Sequence, residues 1–74
     1  MDRIDAMRLF LRVADAGSFS RAAADLSIGQ PTVSRRIQDL EHQIGAELFH
    51  RTTRALSLTE AGQKFYGRAQ DILA

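Results

Sequence analysis

Five residues, Ala23, Leu26, Ile28, Val33 and Ile37, constrain this chain more than any other feature. A short segment with one apolar face, Phe19 to Leu26, is interrupted at Ser27-Ile28-Gly29 and restarts at Gln30-Pro31. Two helices that cross at a tight turn need a small residue where they approach, and Ala23 supplies it. They need a large apolar residue three positions on, which is Leu26, and an apolar residue tucked inside the turn, which is Ile28. The second helix needs buried residues that pack back on the first, and Val33 and Ile37 stand there. The pattern is a helix-turn-helix with one atypical slot, since the turn position often held by glycine is Ser27. A plain bundle of three short helices also places Ala and Leu at such spacings, so the rest of the chain must separate the two.

Helical periodicity extends on both sides of this motif. From Arg3 to Ala16, Ile4, Met7, Leu11 and Ala14 share one face, and Ala6, Phe10 and Val13 widen it. So broad a face suggests core on one side and a second chain on the other. Asp2 and Ser18 are predicted N-caps, and Gly17 is a predicted C-terminal stop. The second motif helix is predicted over Gln30 to Ile44, with Pro31 in its first turn, a stripe of Val33, Ile37, Leu40 and Ile44, and Gly45 as its stop. Glu47 to Arg51 and Ala55 to Leu58 read as two short strands around Thr52-Thr53-Arg54. Thr59 caps a last helix whose stripe is Ala61, Phe65, Ala69 and Ile72, widened by Tyr66 and Leu73. That stripe is still running at Ala74, so the chain is expected to be a fragment or to continue. The predicted fold is mainly α: a winged helix-turn-helix over 1–58, with a three-helix core and a hairpin wing. The start of a linker and dimerisation helix follows over 59–74.

Composition narrows the class. The chain has 74 residues, no Cys, a formal net charge of +1 and 45% hydrophobic residues. One small domain follows, with no disulfide framework and no thiolate metal site. No apolar run is long enough to span a membrane, and the charged start, Met1-Asp2-Arg3, is not a signal peptide. A cytoplasmic location is expected. A core of this size is marginal alone, which favours self-association.

The charge distribution says more than its sum. Opposite the apolar stripe of the second motif helix lie Pro31, Ser34, Arg35, Gln38 and His42. From Gln30 to Gln38 there are two arginines and no acid, and Asp39 and Glu41 are placed on the flanks. Such a helix suits the major groove. Gln30 can pair bidentately with adenine and Arg35 with guanine, Ser34 can bond a base or a phosphate, and Pro31 and the Thr32 methyl can pack on a thymine methyl. The predicted hairpin, His50-Arg51-Thr52-Thr53-Arg54, is also acid-free and suits a grip on phosphates or the minor groove.

These residues carry a resemblance. Gly17 to Leu26 (GSFSRAAADL), Gln30 to Arg35 (QPTVSR), Ile37, Leu40-Glu41, Leu48 to Arg54 (LFHRTTR) and Leu58 to Gly62 (LTEAG) resemble the N-terminal DNA-binding domain of LysR-type transcriptional regulators. The resemblance covers nearly the whole chain. It implies a winged helix-turn-helix whose last helix dimerises, and bacterial transcription control at inverted-repeat operators in double-stranded DNA. It places base reading on Gln30, Pro31, Thr32, Ser34 and Arg35, with Gln38 beside them, and the wing contacts on Arg51, Thr53 and Arg54. One departure is Gly29, where the family often has Ser; Gly there weakens the helix cap by a few tenths of a kcal/mol. Family members also carry an effector-binding domain that this chain lacks, so a small-molecule effector would act only through that missing part.

Two other classes stand beside this reading. An enzyme would have only His42 and His50 as imidazole bases, with no carboxylate pair, phosphate loop or activated nucleophile. No catalytic residue, metal ligand or cofactor is expected. A winged-helix protein-interaction module is the stronger alternative. The broad faces of the first and last helices do point to a protein partner, assigned here to a homodimer through Ile4, Met7, Phe10, Leu11, Phe65, Ala69 and Ile72, with higher oligomers in a full-length protein. An acid-free patch shared by helix and hairpin favours DNA over a protein ligand for the motif itself.

Overall fold

Capping chemistry sets the helix limits in the computed structural model, which describes residues 2–52 and 56–74. Helix α1 is Arg3–Ala16, and the Asp2 carboxylate accepts from the Asp5 N–H at 2.8 Å. Helix α2 is Phe19–Leu26, and Ser18 Oγ accepts from the Arg21 N–H at 3.2 Å. Helix α3 is Gln30–Ile44, whose N-cap Gly29 makes no side-chain hydrogen bond. Helix α4 is Glu60–Leu73, where Thr59 Oγ1 accepts from the Gly62 N–H at 2.9 Å and donates to the Glu47 carbonyl at 2.6 Å. Gly17 and Gly45 end α1 and α3 in the left-handed region, the stops that the sequence predicts.

Strand β1, Phe49–Arg51, pairs antiparallel with β2, Leu56–Leu58, with Phe49 opposite Leu58, His50 opposite Ser57 and Arg51 opposite Leu56. Strand β1 is shorter than predicted. The Leu48 carbonyl still follows the antiparallel register by accepting from the Thr59 N–H, but the Leu48 N–H turns away to the Glu41 carboxylate, and the ladder stops there. The predicted turn residues Thr53 and Arg54 lie outside the described residues.

The core is built around Phe10. Phe10, Val13, Val33, Ile37 and Leu48 are fully buried. The Phe10 ring meets Phe49 at 5.3 Å between centroids and Phe65, edge-on, at 5.0 Å. Each such pair contributes about 1 kcal/mol beyond its buried area. Two expectations are corrected here. The buried side of the broad α1 face holds Phe10 and Val13 and also Leu9, which the predicted face left out. Phe10 and Ala69, assigned to a dimer interface, have 0% exposure within the single chain. They close the space between α1, the hairpin and α4, and no surface of theirs remains for a partner. Ile44, at the end of the α3 stripe, is 41% exposed and takes no part in the core.

Candidate nucleic-acid interface

The inner side of α3 is locked before its outer side is presented. Val33 and Ile37 have 0% exposure and Leu40 8%, and α2 packs across them. Ala23, at the predicted crossing, is 4% exposed. The Ile28 N–H reaches back to the Ala23 carbonyl at 3.0 Å, which closes the turn. Ser27 makes that closure with φ 58°, the left-handed conformation that the slot demands and that a β-carbon resists.

Opposite the core, Gln30, Pro31, Arg35, Gln38 and His42 are exposed, and Thr32 and Ser34 are half-buried. The structure therefore brings all six α3 residues predicted to read DNA to the outward side. Among the described residues neither Arg35 nor Arg36 is engaged in an ion pair. Their charges are available to an anion. A groove beside this face is lined by Arg8, Arg12, Arg35 and Arg36 together with Asp5 and Asp39, so four cations face two acids where α3 meets α1.

The hairpin differs from expectation. Arg51 is not a free cation. Its Nη2 donates to Glu41 Oε1 at 2.7 Å, and its guanidinium carbon lies 5.5 Å from the Phe19 ring centroid. Glu41, expected on a solvated flank, is buried at 8% exposure. Its Oε2 accepts from the backbone N–H groups of Leu48 and Phe49 at 2.7 and 3.4 Å. Sequence reasoning missed this residue because helical angle places it beside the α3 stripe, where an acid normally reaches solvent; the signal was an arginine on the strand that follows.

On the far side, the Tyr66 hydroxyl donates to Asp15 Oδ1 at 2.5 Å and ties α4 to α1. That hydrogen bond foremost, then desolvation and the Asp15 charge, holds the Tyr66 phenol above its ordinary value. Ile4 and Ile72 are exposed at 39% and 56%, and Met7, Leu11 and Phe65 are half-buried. His42 and His50 are both exposed, one on α3 and one on β1. Among the described residues no group of three His, Cys, Asp or Glu is placed to hold a metal ion, and no helix is long and apolar enough to cross a membrane.

A helix-turn-helix flanked by a two-stranded hairpin, with a further helix behind it, is a winged helix-turn-helix. The sequence profile described as "Bacterial regulatory helix-turn-helix protein, lysR family" matches residues 4–63, and the chain belongs to that family. It is 51% identical over 74 residues to the HTH-type transcriptional regulator YhjC of Escherichia coli (strain K12), covering 100% of this chain and 25% of that protein. It is 53% identical over 68 residues to BudR of Raoultella terrigena, covering 92% of this chain and 23% of that protein. The chain thus spans about a quarter of the length of these relatives. Among solved structures, the BenM DBD in complex with catB site 1 DNA superposes with a TM-score of 0.91 at 38% identity, over 99% of this chain and 80% of that one. Full-length CbnR with its target DNA gives 0.90 at 37% identity, over 99% of this chain and 25% of that one.

Proposed function

We propose that this chain is the DNA-binding head of a bacterial LysR-type transcriptional regulator. It inserts α3 into the major groove of an inverted-repeat operator and works as a homodimer in the cytoplasm. The observation that carries the reading is the outward face of α3. It is acid-free over residues 30–38, bears an Arg35 with no ion-pair partner among the described residues, and is held rigid from behind by Val33 and Ile37. Gln30, Pro31, Thr32, Ser34 and Arg35 read bases, and Gln38 extends the same face. BenM and CbnR, solved in complex with DNA, support DNA as the partner here. The wing, with Thr53 and Arg54, lies on the backbone or minor groove. The dimer forms on the apolar surface left outside the core: Ile4, Met7, Leu11, Phe65 and Ile72. Effector binding belongs to a further domain of the kind the longer relatives have room for. The reading assigns no catalysis.

Fluorescence anisotropy over a salt series tests this. One duplex carries an inverted repeat of the family type and the other a scrambled sequence of equal length. Tighter binding to the repeat is expected, with log K falling by about 0.9 per phosphate contact for each tenfold rise in salt. Absence of binding to both duplexes at low salt would overturn the reading in favour of a protein-interaction module.

A further inference from the structure

The only buried acid in the core belongs, among the described residues, to the recognition helix itself. Glu41 stands in the C-terminal half of α3, and the hydrogen bonds its carboxylate accepts all come from one neighbour, the base of the wing. Oε2 takes the N–H groups of Leu48 and Phe49, and Oε1 takes Arg51 Nη2 at 2.7 Å. The guanidinium then lies over Phe19 in the first turn of α2, and the Phe19 ring packs edge-on against Phe49 at 6.0 Å. One carboxylate therefore joins α3, the start of β1 and, through Arg51, the first helix of the motif.

A buried carboxylate that loses a charged partner is strongly disfavoured, so Arg51 is held where it is. Its side chain is 34% exposed, against 10% for Glu41, so solvent reaches the guanidinium only at its outer edge. A phosphate would have to compete for it with a carboxylate already desolvated beside it. We propose that Glu41 and Arg51 are positioning residues for DNA recognition: together they fix the wing relative to α3, and Arg51 makes no phosphate contact. This rests on the DNA-binding reading above. Positive charge in the wing does not by itself identify a phosphate ligand; here one of the cations is neutralised by the recognition helix.

The two roles of Arg51 differ in how binding responds to salt and in the sign of the Glu41 effect. If Arg51 bonds a phosphate, Arg51→Gln lowers the slope of log K against log salt by about 0.9. If Arg51 only positions the wing, the same change leaves the slope unaltered, because the number of neutralised phosphates is constant. The operator affinity still falls, by about tenfold, the size of one impaired specific interaction. Glu41→Gln keeps an acceptor for the Leu48 N–H and releases Arg51. If Arg51 served a phosphate, this release would leave binding unchanged or strengthen it. If the pair positions the wing, Glu41→Gln lowers operator affinity as Arg51→Gln does, and the double variant is no worse than either single one.

The experiment is anisotropy on the 74-residue chain and its Arg51→Gln, Arg51→Lys and Glu41→Gln variants, with operator and scrambled duplexes at several salt concentrations, well below each variant's melting temperature by circular dichroism. The expected result is an unchanged salt slope, a reduced preference for the operator in both Gln variants, and partial rescue by Arg51→Lys. A slope reduced by about 0.9 in Arg51→Gln, with wild-type binding intact, overturns the proposal and leaves the DNA-binding reading standing. Operator affinity unchanged in folded Arg51→Gln also overturns it, since the pair then serves folding alone. Wild-type protein that binds neither duplex overturns both.

Discussion

Ser27 and Gly62 show what single positions can and cannot reveal. Ser27 stands in the left-handed region at φ 58°, a conformation that costs an L-residue about 1 kcal/mol. Ser27→Gly removes that strain and gives back part of it as chain entropy in the unfolded state. Thermal melts should show a net gain of about 0.5 kcal/mol; a loss would mean that the Ser27 side chain does more than tolerate the turn. Gly62 is the opposite case. A β-carbon there would sit 2.0 Å from the Leu48 carbonyl oxygen, which already accepts from the Thr59 N–H. The obstacle is backbone on both sides and cannot swing away. Gly62→Ala should destabilise the chain by about 3 kcal/mol or more, read as a large drop in melting temperature or failure to fold. The atypical Ser27 is legible from the turn pattern. Gly62 is not, because nothing in a local window says that a hairpin carbonyl crosses the first turn of α4. For function, Arg35→Ala should cost about 1–3 kcal/mol and relax the preference at one operator base pair. A specific-to-random affinity ratio equal to wild type would remove Arg35 from the base-reading set.

Whole elements are more legible in the sequence than the packing between them. The helices begin and end where caps and glycines place them, since those signals are local: Asp2, Ser18 and Thr59 each satisfy an N–H three residues on. Strand β1 is shorter than its sequence pattern because Leu48 looks like a strand residue and its N–H is diverted to Glu41, a partner on α3. The buried face of α1 escapes periodicity for a related reason. Apolar residues cover so much of that helix that spacing alone cannot say which third meets the core, and the position of Phe49 and Phe65 around Phe10 decides it. The Tyr66–Asp15 bond belongs at this scale, since it joins α1 to α4 across fifty-one residues of sequence. The phenol is raised above 10.0, so the tie is complete below that value and is lost as pH rises through the higher folded value. Both groups meet solvent, so Tyr66→Phe should change the melting temperature at neutral pH only slightly and should weaken the loss of stability above pH of about 10.

At the scale of the whole molecule, core and partner surface divide an apolar supply that periodicity assigns jointly. Phe10 and Ala69 are closed inside the chain, while Ile4 and Ile72 keep 39% and 56% of their surface. What remains for a partner is a strip on α1 and α4, formed by residues other than those of the α3 face that would meet DNA. An inverted repeat needs two heads at a fixed separation, so disrupting this strip should affect only the coupling between heads. Ile72→Asp puts a charge on an exposed position of α4 and leaves Val33, Ile37 and the α3 surface untouched. Such a change should leave binding to a single half-site within about twofold of wild type, because exposed substitutions away from structural features shift stability by about 0.5 kcal/mol or less. Binding to the full repeat should lose its advantage over the half-site, and sedimentation should show a lighter species. The discriminating quantity is the ratio of the two affinities, since a damaged head lowers both together and a lost dimer lowers only the first. Should the ratio survive Ile72→Asp, the heads must be joined elsewhere, and the exposed α1–α4 strip would have to be reassigned to contacts with the rest of a longer chain.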